Sequence, residues 1–135
     1  MSINDLYKVY IGAYAEDHFI KSFSKTYKNA RDVTLRAIQG VTARIEAYLQ
    51  TTKAEKIHSC RSCHIVKCEF AVAGTQESPH GSGNRYIVHM DQENHECHIL
   101  LVYAKTDVKG SNETNRRRGE IRKNYSSLTG KFTGI

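Results

Sequence analysis

Residues 84–104, NRYIVHMDQENHECHILLVYA, are the stretch that decides the fold. Arg85–Met90 is rich in β-branched and aromatic residues and predicts a strand, and Cys97–Ala104 predicts a second strand. The polar residues at about 91–94 predict a turn that joins the two strands in a hairpin. Because CHILLVYA is nearly all apolar, its strand is expected to lie centrally in a sheet. Three histidines flank the turn and are predicted to be polar surface residues: His89, His95 and His98.

The remaining segments show either the alternation that is typical of strands or the 3.6-residue spacing that is typical of helices. Residues 64–73 alternate, so that Ile65, Lys67 and Glu69 are expected on one side of a strand and Val66, Cys68 and Phe70 on the other. In the final helix, Ile121, Tyr125 and Leu128 fall on one face. Together these patterns predict further strands over residues 6–14 and 64–73, and helices over residues 15–27, 32–49 and 112–128.

Two polar stretches separate these elements. Residues 50–63 lack periodicity and predict a loop, and residues 74–84, GTQESPHGSGN, hold the only proline and predict an exposed loop. The resulting order, β-α-α-β-β-β-α, predicts an α+β fold. Its small, mainly antiparallel sheet packs against two N-terminal helices, with a C-terminal helix beside it. The other face of the sheet is then left for a ligand.

Length and charge narrow the class of protein. The 135 residues predict one domain, 1–135, with a loosely ordered tail at 129–135. No apolar run approaches the roughly 18 residues of a membrane span, and the N-terminus has no signal-peptide pattern, so we expect a cytoplasmic protein without a membrane partner. Residues 105–135 hold eight Lys/Arg against three Asp/Glu. This excess of positive charge favours a polyanion or an acidic protein as partner. The alternative is that the basic residues simply form a solvated helix face.

Arg85 and Lys105 stand at the two open ends of the predicted hairpin. In an antiparallel pair, the start of one strand and the end of the next lie at the same rim, so we expect the two cations to be close together. Gly81 and Gly83 precede Arg85, and such residues let a ligand approach the main chain. This combination suits a phosphate or another oxyanion. The alternative is that both residues are ordinary strand-end charges.

Residues 66–125 resemble toxins of the RelE/HigB group of bacterial toxin–antitoxin modules. That group has a Lys-containing strand, a glycine-rich loop, an arginine that opens a strand, an apolar strand ending in Tyr-x-Lys, and a polar link into a closing helix. The matching positions here are Lys67, Gly81 and Gly83, Arg85, Tyr103-Ala104-Lys105, and the stretch from Ser111. The predicted order of helices and strands is also that of the group.

The resemblance implies an endoribonuclease that cuts mRNA, often on the ribosome, and is neutralised by a cognate antitoxin protein. It implies chemistry without a cofactor, in which the ribose 2′-OH attacks the adjacent phosphorus and leaves a cyclic phosphate and a free 5′-OH. Such a site needs cations, a proton acceptor and a proton donor. The implied catalytic residues are Arg85 as phosphate stabiliser, Lys105 as second charge and His80 as proton shuttle. The implied RNA contacts are Lys67, Asn84, Tyr103, Lys109, Arg116, Arg117, Arg118, Arg122 and Tyr125, with the tyrosines stacking on bases.

Two departures from the group's pattern keep alternatives open. Many relatives have a lysine in the glycine-rich loop, where this chain has His80, so the acid–base assignment stays open. Many have an aromatic residue or glycine before the arginine, where this chain has Asn84. Toxins of the ParE branch share the fold but poison DNA gyrase without a nuclease site, and this is the alternative function.

The stretch HSCRSCHIVKC, residues 58–68, has metal-like spacing. His58, Cys60 and Cys63, with Cys68 or Cys97, could supply the four ligands of a structural zinc. There is no second Cys-x2-Cys, and Cys68 lies within a strand pattern, so reduced and partly buried thiols are the favoured interpretation. A redox pair at Cys60 and Cys63 lacks the strand-to-helix context of a thioredoxin site. A zinc-stabilised nucleic-acid-binding module without catalysis is therefore a third candidate.

Overall fold

The computed structural model describes residues 6–15, 31–71, 84–104, 113–128 and 131–132. The strands are β1 Lys8–Ile11, β2 Ala54–Cys60, β3 Cys63–Phe70, β4 Asn84–Asp91 and β5 Glu96–Ala104. The helices are α1 Ala13–Ala15, α2 Arg31–Ala43, α3 Ile45–Tyr48 and α4 Glu113–Asn124, with a 3-10 turn at Ser126–Leu128. The helix predicted over residues 15–27 lies, beyond Ala15, outside the described residues. No helix in the described ranges has both the length and the apolar character needed to cross a bilayer.

The five strands form one sheet in the order β1-β5-β4-β3-β2. The neighbours from β5 to β2 pair antiparallel, whereas β1 pairs parallel with β5. The fold is therefore α+β with a mainly antiparallel sheet, which confirms the predicted class. β5 has a neighbour on each side, as its apolar run predicted, and β4 is the middle strand.

The loop predicted over residues 50–63 is wrong, because half of it is β2. This strand lies at an edge of the described sheet, and it exposes polar side chains such as Glu55, Lys56 and Ser59. The register with β3 shifts between Lys56 and His58, and such a bulge breaks the alternation that marks a strand in a sequence. The turn into β3 is formed by Arg61 and Ser62 rather than by Asn-Gly, so the usual hairpin signal is also absent.

The helix predicted over residues 32–49 is two helices, α2 and α3, separated at Arg44. The Ala43 carbonyl accepts a hydrogen bond from the Tyr7 N–H at the start of β1, at 2.9 Å. In the residue directly before Ala43, the Thr42 hydroxyl donates to the Ile38 carbonyl at 2.6 Å, a bond that bends helices. The bond from Tyr7 to Ala43 and the bond from Thr42 to Ile38 both use carbonyls of the helix, and the regular helical hydrogen bonding breaks at this point.

Helices cover both faces of the sheet. Ile38 and Ile45 of α2 and α3 pack on Val66, Tyr86 and Val88, and we call this side the inner face. Alternation along the strands turns the next residues the other way, to a side that we call the outer face. There Ile121 of α4 and Phe132 lie in one buried cluster with six strand residues: Cys63, Ile65, Ile87, Leu100, Leu101 and Tyr103.

The prediction that one face is left for a ligand is therefore wrong for the middle of the outer face. The reason is that β3, β4 and β5 carry apolar side chains on both faces, so the outer face also has to be covered. The mostly polar helix α4 covers it through one buried isoleucine, Ile121. In the predicted loose tail, Phe132 is buried, and its N–H and that of Lys131 both donate to the Leu128 carbonyl at 3.1 Å. Residues 129–130 and 133–135 lie outside the described ranges.

Candidate functional site

Four polar or polar-tipped residues lie together on the outer face, at the end of the sheet where β4 begins. Glu69 of β3 is the Cα partner of Arg85 of β4, and Arg85 is the partner of Tyr103 of β5. Lys67 precedes Glu69 by two residues and therefore shares its face, as the alternation of residues 64–73 predicted. We call Lys67, Glu69, Arg85 and Tyr103 the outer-face polar group.

Arg85 is held rigidly and is largely covered. Its Nη2 lies 3.7 Å from Oε1 of Glu69, and its Nη1 donates to the Asn84 carbonyl at 2.8 Å. The two side chains of the ion pair are 7% and 13% exposed. A guanidinium so far from water requires a nearby negative charge, which Glu69 supplies. The pair is thus a preformed cation and carboxylate on two adjacent strands.

Glu69 is fixed through its backbone as well as through Arg85. Its carbonyl accepts a hydrogen bond from the Tyr48 hydroxyl at 2.6 Å, and its N–H donates to the Lys53 carbonyl at 2.8 Å. Burial, followed by the nearby Cys68 and Glu69, raises the pKa of Tyr48 to about 12, so this phenol stays a donor. These bonds give Glu69 a defined position beside the guanidinium.

Lys67 is the cation of the group that solvent reaches most easily. Its Nζ lies 3.3 Å from Oε1 of Glu55, and the two side chains are 25% and 64% exposed. Ion pairs at this level of exposure are weak, so a ligand anion can replace Glu55 at little cost. Lys67 can therefore bind a phosphate without a rearrangement of the fold.

The structure describes the surroundings of the proposed second cation only in part. Lys105, His80 and Lys109 lie outside the described residues. Ala104, which directly precedes Lys105, is the Cα partner of Asn84, which directly precedes Arg85. The register thus brings the backbone at residue 104 beside the start of β4, as expected from a hairpin.

The predicted stacking tyrosines are engaged in packing. Tyr103 is buried in the outer-face cluster. The Tyr125 hydroxyl donates to the Leu100 carbonyl at 2.8 Å, and its ring meets Tyr14 edge-on at 6.0 Å. The Tyr14 hydroxyl in turn donates to Glu120 of α4, and burial together with that carboxylate raises the pKa of Tyr14 to about 12. The Tyr125 hydroxyl thus ties the residue that follows α4 to β5, and Tyr103 is part of the core.

The basic helix α4 has one buried arginine. Arg117 is 8% exposed and precedes the buried Ile121 by one turn, so it points towards the sheet side of α4. Its Nε, like that of the half-buried Arg118, has no hydrogen-bond partner within the described part of the chain. The cations that α4 presents to solvent are Arg116, Arg122 and Lys123.

The zinc hypothesis does not fit the positions of its ligands. Cys68 is fully buried in the inner-face cluster, whereas Cys60 and Cys63 pack in the outer-face cluster. The sheet therefore separates one proposed ligand from two others. Within the described ranges, which include His58 and all four cysteines, no group of three or more His, Cys, Asp or Glu is arranged to hold a metal ion. The four cysteines are free thiols.

His89 was predicted to be a surface residue and is instead half-buried on the outer face. Its ring lies 5.9 Å from Phe132, edge-on, and 6.2 Å from His98. Burial lowers its pKa from the usual value, and Lys131 and His98 lower it further, while Asp91 opposes them. The fold therefore favours the neutral imidazole.

This shift predicts a loss of stability in mild acid. Because the folded pKa of His89 lies below the unfolded value, its contribution is complete above about pH 6.5 and is lost as the pH falls through the folded pKa. We expect the free energy of unfolding in urea to be smaller at pH 5 than at pH 7.5, and His89→Gln to reduce this difference. An unchanged pH dependence in His89→Gln would contradict the assignment to His89.

Comparison with family models, with curated proteins and with solved structures finds no match to this chain. The outer-face polar group is therefore the basis on which function is inferred. Of its four members, sequence reasoning selected Lys67, Arg85 and Tyr103 and missed Glu69. The alternation of β3 placed Glu69 on the correct face, but its pairing with Arg85 depends on a register between strands that are 13 residues apart in the chain.

Proposed function

We propose that this chain is a RelE/HigB-like toxin, an endoribonuclease that cuts mRNA by transfer to the 2′-OH and is neutralised by an antitoxin protein. The observation that carries this proposal is the Glu69–Arg85 pair, with 3.7 Å between carboxylate and guanidinium on neighbouring strands. A carboxylate beside a cation supplies two of the three functions that cleavage of RNA requires. The third, a proton donor for the leaving group, is assigned to His80.

The proposed step uses the pair as follows. The Glu69 carboxylate accepts the proton of the ribose 2′-OH while the 2′-oxygen attacks the phosphorus. Arg85 stabilises the negative charge that develops on the phosphorane oxygens. The bond from phosphorus to the 5′-oxygen then breaks, and that oxygen takes a proton from His80. The products are a 2′,3′-cyclic phosphate and a free 5′-OH.

The different exposure of Lys67 and Arg85 suggests the order in which RNA contacts them. Lys67 is accessible, whereas Arg85 is 6% exposed, so a phosphate reaches the guanidinium only by displacing the groups above it. RNA is therefore expected to contact Lys67 first and Arg85 afterwards. The exposed Arg116, Arg122 and Lys123 of α4 would add contacts to the backbone of the RNA that do not depend on its sequence. An acidic antitoxin could cover the same cations.

The Glu69→Gln variant tests the proposed base. It keeps the shape of the side chain and removes its charge, and we expect cleavage of an mRNA in a translation extract to fall by about 100-fold or more. Glu55→Gln is the matched control, because Glu55 also lies beside Lys67 but is 64% exposed, and it should cleave like the wild type. Mapping of RNA ends should find cyclic phosphates and 5′-OH groups. Equal cleavage by both variants, at wild-type rate, would exclude Glu69 as the base.

A second candidate function is the inhibition of DNA gyrase without a nuclease site, as in the ParE branch. The observation that favours it is the cover over Arg85, whose charge is already met by Glu69, together with α4 across the outer face. A supercoiling assay with purified gyrase separates the two candidates. Inhibition of supercoiling without any cleavage of mRNA would select this alternative.

A further inference from the structure

Cys60 and Cys63 face each other across the β2–β3 hairpin. They are Cα partners, with only Arg61 and Ser62 between them. Both side chains belong to the outer-face cluster and therefore lie on the same side of the sheet. Directly opposed residues in antiparallel strands have Cα atoms about 4.5 or 5.5 Å apart, depending on the hydrogen bonding of the pair. Both values lie within the range of roughly 4.4–6.8 Å found in disulfides.

The turn that joins the two cysteines is anchored. Arg61 has a left-handed backbone, with φ of 55°, and the Ser62 carbonyl accepts a hydrogen bond from the Gln92 N–H at 2.9 Å. The hairpin end is thereby tied to the turn between β4 and β5. The two thiols also differ in access, since Cys60 is half-buried and Cys63 is 7% exposed. One thiol can meet a reagent, and the other is held opposite it.

We propose that Cys60 and Cys63 form a modification site at which small disulfides of the glutathione class generate an intramolecular disulfide. The Cys60 thiolate attacks one sulfur of oxidised glutathione, which forms a mixed disulfide and releases one glutathione thiolate. The Cys63 sulfur then attacks the Cys60 sulfur and releases the second glutathione. Two protein thiols are oxidised, one glutathione disulfide is reduced to two thiols, and the two protein protons pass to glutathione.

The other two cysteines provide an internal control. Cys68 and Cys97 are fully buried on the inner face. Burial is the main reason that their pKa values rise to about 12, so they hold almost no thiolate at neutral pH. They should stay reduced under conditions in which Cys60 and Cys63 react.

The test exposes the folded, reduced protein to oxidised glutathione, blocks the remaining thiols with an alkylating agent and measures the mass. The alkylation is carried out in denaturant so that Cys68 and Cys97 become accessible, and we expect two blocked thiols rather than four, with no bound glutathione. Trypsin then gives a specific readout, because Arg61 lies between the two cysteines and cleavage there separates residues 57–61 from residues 62–67. These two peptides should remain joined until a reductant is added.

Two variants identify the order of attack. Cys63→Ser should stop at the first step and carry one glutathione on Cys60, whereas Cys60→Ser should carry much less because Cys63 is covered. Four blocked thiols in the wild type would overturn the proposal. Stable glutathione on wild-type Cys60, or a disulfide that includes Cys68 or Cys97, would overturn it equally.

Discussion

Arg85→Ala is expected to abolish cleavage of mRNA, with a loss of about 1,000-fold, because it removes the group assigned to the phosphorane charge. The same change leaves Glu69 buried without its cation, and we expect the free energy of unfolding to fall by about 3 kcal/mol. Cleavage of a reporter mRNA and urea denaturation measure the two effects. Arg36→Ala, which removes an exposed arginine of α2, is the control for charge and should change neither.

A double variant separates folding from catalysis at this pair. Glu69→Gln with Arg85→Met removes both charges and keeps most of the side-chain volume, so its stability should recover relative to Arg85→Ala. Its cleavage activity should remain as low as that of Arg85→Ala. Wild-type cleavage by the double variant would show that the pair is only structural and that the nuclease proposal has lost its site.

Ile121→Ala is expected to cost about 3 kcal/mol of stability, the largest effect that we predict for a single apolar side chain. Ile121 is almost completely buried between α4 and the outer face, in one cluster with Ile87, Leu101 and Phe132. Its truncation removes the apolar contact of a helix that is otherwise highly polar, and it leaves a cavity. Urea denaturation, monitored by circular dichroism, measures the change.

Val33→Ala is the matched control for Ile121→Ala. Val33 is also a β-branched residue on a helix, but its side chain is exposed on α2. We expect its truncation to change stability by less than about 0.5 kcal/mol. If Ile121→Ala were equally mild, α4 would not cover the outer face in solution, and the ligand surface expected from the sequence would be open after all.

The elements of this fold differ in how strongly local sequence specifies them. The hairpin of β4 and β5 was predicted closely, because its alternation, polar turn and apolar second strand are local signals. β2 was missed because it is a bulged edge strand with a polar side and a turn of unusual composition. The break at Arg44 was missed because its cause, the bond from Tyr7 to Ala43, joins residues far apart in the chain.

In the candidate site, too, some features follow from local sequence and others from the tertiary structure. Arg85 at the start of a strand and Lys67 on the outer side of β3 follow from periodicity alone, since a residue's face depends on its position along its own strand. The partner of Arg85 depends on how β3 and β4 align across a long connection, and the sequence contains no signal for that alignment. Whether the cysteines can share a metal ion also depends on the face of the sheet that each one occupies, and the structure places them on opposite faces.

By itself, then, the amino-acid sequence determined the α+β class, the hairpin of residues 84–104, the inward position of Ile121 on α4 and the excess of positive charge at the C-terminal end. These properties depend on neighbours within one or two turns of helix or a few residues of strand. The tertiary structure alone decided that Glu69 meets Arg85, that α4 and Phe132 cover the outer face, and that Cys60 is opposite Cys63. Each of these depends on strand register and helix docking, which are set by the packing of the whole core.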